Sequence, residues 1–176
     1  MENVKVKYGL DNLENILNKL PIGVTESFAD EINRGARIFV YGAGRSGLML
    51  KAFAMRLMQA GKTVFVVGET VTPAICKGDI LVVASASGRT ESTCRYAKIA
   101  KSVGALVYCI TADEASPIAE AADALICLCA PTKDAPDSKS VMGTLFEQAL
   151  LLLLDEVVSE LGADPAQMRK RHANLE

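Results

Sequence analysis

Ile38-Phe39-Val40-Tyr41-Gly42-Ala43-Gly44-Arg45-Ser46-Gly47 and Ile80-Leu81-Val82-Val83-Ala84-Ser85-Ala86-Ser87-Gly88-Arg89-Thr90 decide the reading of this chain. In each, an apolar run with the character of a buried strand ends in a turn of glycines and hydroxyls, and a helix-like segment follows. Similar runs, Val64 to Val67, Leu106 to Ile110 and Ala124 to Leu128, bring the expected strands to five. Between them Leu48 to Ala60 and Thr90 to Val103 carry helical periodicity, and each is closed by a glycine, Gly61 or Gly104. Strands alternating with helices predict a parallel sheet covered on both faces, a three-layer α/β/α doubly wound fold. With right-handed crossovers, a flavodoxin-like strand order is expected.

Working outward, residues 1–35 form a helical lead-in, with Leu10, Leu13, Ile16, Leu17 and Leu20 at helical spacing and a break at Pro21. Ala130 to Ser140, with Pro131 and Pro136, reads as a surface loop. One long helix is expected from about Val141 to Leu161, followed by a C-terminal segment over 163–176. The α/β core therefore spans 36–162 of what is expected to be a single domain. A chain of 176 residues fits one domain by the prior of roughly 100–200 residues each.

Composition narrows the function. A formal charge of −2 with scattered basic residues offers no extended basic face, so nucleic acid is not an expected partner. The longest aliphatic stretch, Ala149 to Leu154, falls far short of the roughly 20 residues that cross a bilayer, so no membrane partner is expected. Five cysteines without a C-x-x-C pair, and no recognisable signal peptide, suggest reduced thiols in a cytoplasm. The thiols lie mainly on apolar runs and read as small buried hydrophobes. Cys127-x-Cys129 without a nearby histidine carries little weight for zinc, and no metal site is expected.

The two turns describe a socket for a phosphate ester. The first N–H groups of a helix lack intrahelical partners and lie at the positive end of the peptide dipoles, so an oxyanion there meets donors already aimed at it. Ser46, Ser85, Ser87 and Thr90 add hydroxyl donors, and Gly44 and Gly88 let the backbone turn closely. Arg45 and Arg89 would supply charge-assisted donors to phosphate or sugar oxygens, or else stand as solvated charges. Thr90 alone would be explained as a helix N-cap, but three hydroxyls within six residues exceed what a cap needs. The first turn also satisfies G-x-G-x-x-G with an acidic residue, Glu69, after the next strand, which is the dinucleotide pattern. That alternative leaves the second hydroxyl-rich turn without a purpose. A P-loop is excluded because neither turn carries Lys followed by Ser or Thr.

These turns resemble those of the sugar isomerase (SIS) domain family. Gly42 to Gly47, Met142-Gly143-Thr144-Leu145-Phe146-Glu147 and the ending Arg171-His172-Ala173-Asn174-Leu175-Glu176 resemble its 6-phospho-3-hexuloisomerase branch. Arg89 departs from the acidic residue many members carry there. The resemblance implies that Ser46, Ser85, Ser87 and Thr90 hold phosphate and that Glu147 is the proton-transferring base. It implies interconversion of a 3-hexulose 6-phosphate and fructose 6-phosphate through an enediol, within the ribulose monophosphate route of formaldehyde assimilation. It also implies a homo-oligomer, a tetramer, with His172 reaching an active site near a subunit interface. An enediol moves the carbonyl by proton transfer alone, so no cofactor is expected.

On the residues themselves, Glu147 is either this base or an ordinary first-turn glutamate complementing the helix dipole. Thr144, Leu150, Leu151 and Leu154 would flank it at helical spacing, a mostly apolar setting that strengthens a carboxylate as a base. His172, the one histidine, is suited to proton shuttling but sits in the basic run Arg169-Lys170-Arg171, which also reads as a solvated tail. A phosphosugar-binding regulatory module without catalysis would keep the serine turns and make Glu147 dispensable.

Overall fold

In the computed structural model, which describes residues 4–133 and 141–175, the lead-in forms α1 (Val4–Leu17) and α2 (Val24–Arg34). Strands β1 (Ile38–Gly42), β2 (Val64–Val66), β3 (Ile80–Ser85), β4 (Leu106–Thr111) and β5 (Ala124–Cys127) follow. Helices α3 (Gly44–Gln59), α4 (Glu91–Ser102) and α5 (Pro117–Ala121) separate them, and α6 (Thr144–Glu160) and α7 (Pro165–Lys170) close the chain. The five strands are all parallel in the order β2-β1-β3-β4-β5, the flavodoxin-like order expected from the alternation. Of the loop expected from Ala130 to Ser140, residues 134–140 lie outside the described residues.

Strand periodicity divides the core into two layers. Ile38, Val40, Ile80, Val82 and Ile110 face α1, α2, α3 and α6, whereas Phe39, Leu81, Val83, Val107 and Cys109 face α4 and α5. Every residue of β3 is buried, because a central parallel strand has helices against both its faces. The lead-in is part of this core rather than an appendage. Phe28 and Ile32 are fully buried, and the Phe28 ring stacks on Tyr108 with centroids 4.2 Å apart. Leu13 and Ile16 are buried as expected, but Leu10 of the same apolar set is exposed.

Three details differ from the expectation. Helix α6 starts at Thr144, because Met142 (φ 54°) and Gly143 (φ 80°) take left-handed conformations that end the 3-10 turn Val141–Gly143. Helices α5 and α7, five and six residues long, are too short to show an apolar period. Both begin with proline at the first turn, where its missing N–H costs nothing.

At the amino ends of the strands a bidentate ion pair fixes the connection into β3. Arg37 donates from Nε and Nη2 to the Asp79 carboxylate at 2.9 and 2.6 Å, and the Cys76 N–H donates to the same carboxylate at 2.7 Å. Burial pushes the Asp79 carboxyl up, but the bonds from Arg37 and Cys76 outweigh it and hold the group below the ordinary aspartate value. A depressed folded-state pKa contributes stability that is present above the unfolded value, about 3.9, and is lost as pH falls through the folded value. Asp79→Asn is therefore expected to destabilise the fold at neutral pH and to flatten the acid limb below about pH 4. Urea midpoints measured from pH 2 to 7 check this; parallel curves for the two proteins would refute it.

Candidate functional site

The strand order creates the site. From β1 the chain passes to β2 on one side, and β3 then lies on the other side of β1, so progress along the sheet reverses between β1 and β3. At such a switch point the two strand-to-helix turns diverge to opposite faces and leave a crevice at the carboxyl ends. Gly42 and Ala84 are register partners there, which sets the turns that follow them side by side.

A pocket of about 150 Å³ occupies this crevice. Ser46 lines it from the first turn, and Ser85, Ser87 and Thr90 from the second. Glu147, in the first turn of α6, lines it too and is buried. A larger cleft of about 500 Å³ lies at the amino ends of the strands. Its charges are already paired, Arg34 with Glu31 and Lys101 with Asp123, so volume misleads and topology identifies the better site.

Thr90 separates the capping explanation from the binding one. It stands at the N-cap position of α4, yet its side chain makes no capping hydrogen bond. Its hydroxyl instead lies 3.1 Å from that of Ser85. The residues preceding α3 and α6, Ala43 and Gly143, provide no side-chain cap either. Three helix starts thus reach the pocket wall without side-chain caps, an arrangement suited to an anion.

The second turn is held from beneath. Gly88 has φ 61°, and a Cβ built on it would lie 2.0 Å from the Ser116 hydroxyl oxygen. Only glycine fits, so Gly88 shapes the turn without lining the pocket. Gly44, exposed with φ 58°, likewise turns the chain outside the pocket lining.

The two arginines do different work. Arg45 forms an ion pair through Nε with the Glu147 carboxylate, joining the first turn to the candidate base. Arg89 turns away: its Nη2 donates to Asp113 at 2.9 Å, tying the serine turn to the loop after β4 rather than entering the pocket. Sequence reasoning missed Thr132, Lys133, Met142 and Gly143 in the lining. Lys133 is the cation that a phosphate site would lead one to seek, but nothing local tells which residue of a polar loop folds back onto a distant turn.

His172 is not brought to the pocket within one chain. It is exposed, and the neighbouring Arg171 donates from Nη1 to the Gln59 carbonyl at 3.1 Å, at the far end of α3 from Ser46. A 16-residue helix is about 24 Å long, and this length separates them. Glu69, central to the dinucleotide alternative, pairs with Lys51 at 2.9 Å on the surface. Both serine-bearing turns share one pocket, which that alternative does not require.

The thiols correct one expectation. Cys109 is a buried hydrophobe whose thiol is pushed up to about 12 by burial and by the neighbouring Cys94 and Cys127. Cys76 and Cys129 are exposed, however, and Cys94 and Cys127 are half-buried.

Residues 31–152 match the family described as the SIS domain. The chain is 40% identical over 175 residues to the 3-hexulose-6-phosphate isomerase of Bacillus subtilis, covering 95% of each. It is 43% identical to the enzyme of that name from Mycobacterium gastri, over 84% of this chain and 78% of the relative. A crystal structure from Methanococcus jannaschii, for which a function of 3-hexulose-6-phosphate isomerase was inferred, superposes with a TM-score of 0.86 at 36% identity. That match covers 98% of this chain and 99% of the other.

Proposed function

We propose that this chain, which belongs to the SIS domain family, is an isomerase interconverting D-arabino-hex-3-ulose 6-phosphate and D-fructose 6-phosphate. This chemistry fits the ribulose monophosphate route of formaldehyde assimilation. The observation that carries the mechanism is that Ser46, Ser85, Ser87, Thr90 and Glu147 line one pocket.

The phosphate is held by the four hydroxyls and the helix starts, which places the sugar carbons beneath α6. Glu147 removes the proton from C2; the C2–H electrons form the C2=C3 double bond, and the C3 carbonyl oxygen gains a proton. The enediol then returns: the O2–H proton leaves, the C2 carbonyl forms, and Glu147 delivers a proton to C3. One carboxylate above one face of a cis-enediol performs both transfers. Arg45 is a positioning residue that orients this carboxylate through their ion pair. The reaction is tested by supplying the 3-hexulose phosphate in deuterated water. Fructose 6-phosphate carrying deuterium at C3 is expected; binding of the sugar phosphate without turnover would instead favour a regulatory module.

The assembly we propose is a homo-oligomer, a tetramer, in a reducing cytoplasm. No helix among the described residues is long and apolar enough to cross a membrane, and the five cysteines are free. Leu48, Met55 and Met58 form an exposed apolar stripe along α3, a surface that a second copy would cover. Antiparallel pairing along α3 would set the His172 end of one copy beside the pocket end of the other. His172 then serves the neighbour's site, exchanging protons between the sugar oxygens. Glu147→Gln and His172→Ala proteins, each impaired alone, should regain part of the turnover when unfolded and reassembled together. Failure of complementation in demonstrably mixed oligomers would remove the shared site.

A further inference from the structure

At the end of β5, the edge strand of the sheet, Leu128 is fully buried and its N–H donates to the Thr111 carbonyl at 2.9 Å. The cysteines on either side of this anchor are directed together outside the core. Cys129 adopts φ 46°, a conformation rare for a residue other than glycine, and its sulfur lies 3.2 Å from that of Cys127. The turn between β4 and α5 adds Glu114, one of whose carboxylate oxygens lies within 4.8 Å of both sulfurs.

We propose that Cys127, Cys129 and Glu114 bind one thiophilic divalent cation of the zinc class, with a fourth position left to water. Zinc–sulfur bonds of about 2.3 Å in a tetrahedron place two sulfurs about 3.8 Å apart. The observed separation is about 0.6 Å shorter, whereas a disulfide would need the sulfurs to close by more than about 1 Å. Two thiolates and one carboxylate form a set that zinc accepts, and three protein ligands leave its fourth position open. The ligands also come from elements already held in place. Asp113, beside Glu114, accepts hydrogen bonds from the Ala115 N–H at 3.0 Å and from Arg89 at 2.9 Å.

The cation would brace the wall of the sugar phosphate pocket without entering it. On one side Glu114 connects through Asp113 to Arg89 of the serine turn. On the other, Cys129 leads through Ala130 and Pro131 to Thr132 and Lys133, which line the pocket. None of the three ligands is among the pocket-lining residues, so the cation would act on the pocket through the segments it joins and not by touching the sugar phosphate.

The test needs no sugar, which keeps it independent of the isomerase reading. Full-length protein, treated with chelator and kept reduced by a phosphine, is titrated with Zn²⁺ alone by calorimetry and with Co²⁺ by absorption. One ion per chain is expected, with thiolate-to-cobalt charge-transfer bands and a zinc-dependent rise in Tm. Glu114→Gln should weaken zinc by on the order of 10-fold, and the double variant Cys127→Ser/Cys129→Ser by on the order of 100-fold or more, with the bands lost. Ion-free Tm values near that of the parent would verify that the variants fold. No stoichiometric binding by the parent protein, or binding with unchanged charge-transfer bands in the double variant, would overturn the proposal.

Discussion

Glu147→Gln is expected to lower kcat by about 10²–10⁴-fold, the range a positioned proton-transfer group supplies, while KM for the sugar phosphate changes little. The substitution is nearly isosteric, and the amide oxygen still accepts from Arg45 Nε, so the wall of the pocket keeps its shape. What disappears is the basic site that the proposed mechanism uses to take the proton from carbon. The phosphate contacts we propose belong to other residues that line the pocket, Ser46, Ser85, Ser87 and Thr90, and binding should therefore persist. Carbon-bound deuterium from solvent should fall in proportion to turnover. Turnover within a few-fold of the parent would remove Glu147 from the mechanism and leave it as a pairing partner for Arg45.

Gly47→Ala is expected to lower stability by about 3 kcal/mol and Tm by about 6–12 °C. A Cβ at this position would lie 2.2 Å from the Gly42 carbonyl oxygen and 3.0 Å from its carbon. The obstacle is backbone of β1, which cannot rotate aside as a side chain would. Helix α3 would have to lift from the sheet, disturbing Leu50, Phe53 and Leu57, each buried to 1% exposure or less. Ser46 precedes this residue, so phosphate affinity should fall along with stability. Thermal unfolding and phosphosugar binding check both effects. An unchanged Tm would mean that α3 does not rest on β1 as closely as described.

The fold was legible because its strands announce themselves twice, as apolar runs and as the segments that end in glycine-rich turns. Ser46 and the Ser85 to Thr90 turn were legible as candidate pocket residues because helix-start chemistry is local, and the structure sets them along one pocket. Glu147 was legible as a candidate only in part: its place in a first turn follows from sequence, but its partner Arg45 lies 102 positions away. The destination of Arg89 was open for the same reason, since Asp113 belongs to a different crossover. Lys133 and Thr132 could not be found at all, because a loop residue carries no period that reports which pocket it meets.

The sequence by itself determined the alternation of strand and helix, the covered parallel sheet and the two hydroxyl turns, since each depends on residues within a few positions of one another. Only the tertiary structure decided that the turns share a crevice, that Arg45 meets Glu147, that His172 stands a helix length away, and that Glu114 joins Cys127 and Cys129. Those relations arise where separate crossovers return to the sheet. Their partners are set by strand order and packing, which no short window of residues contains.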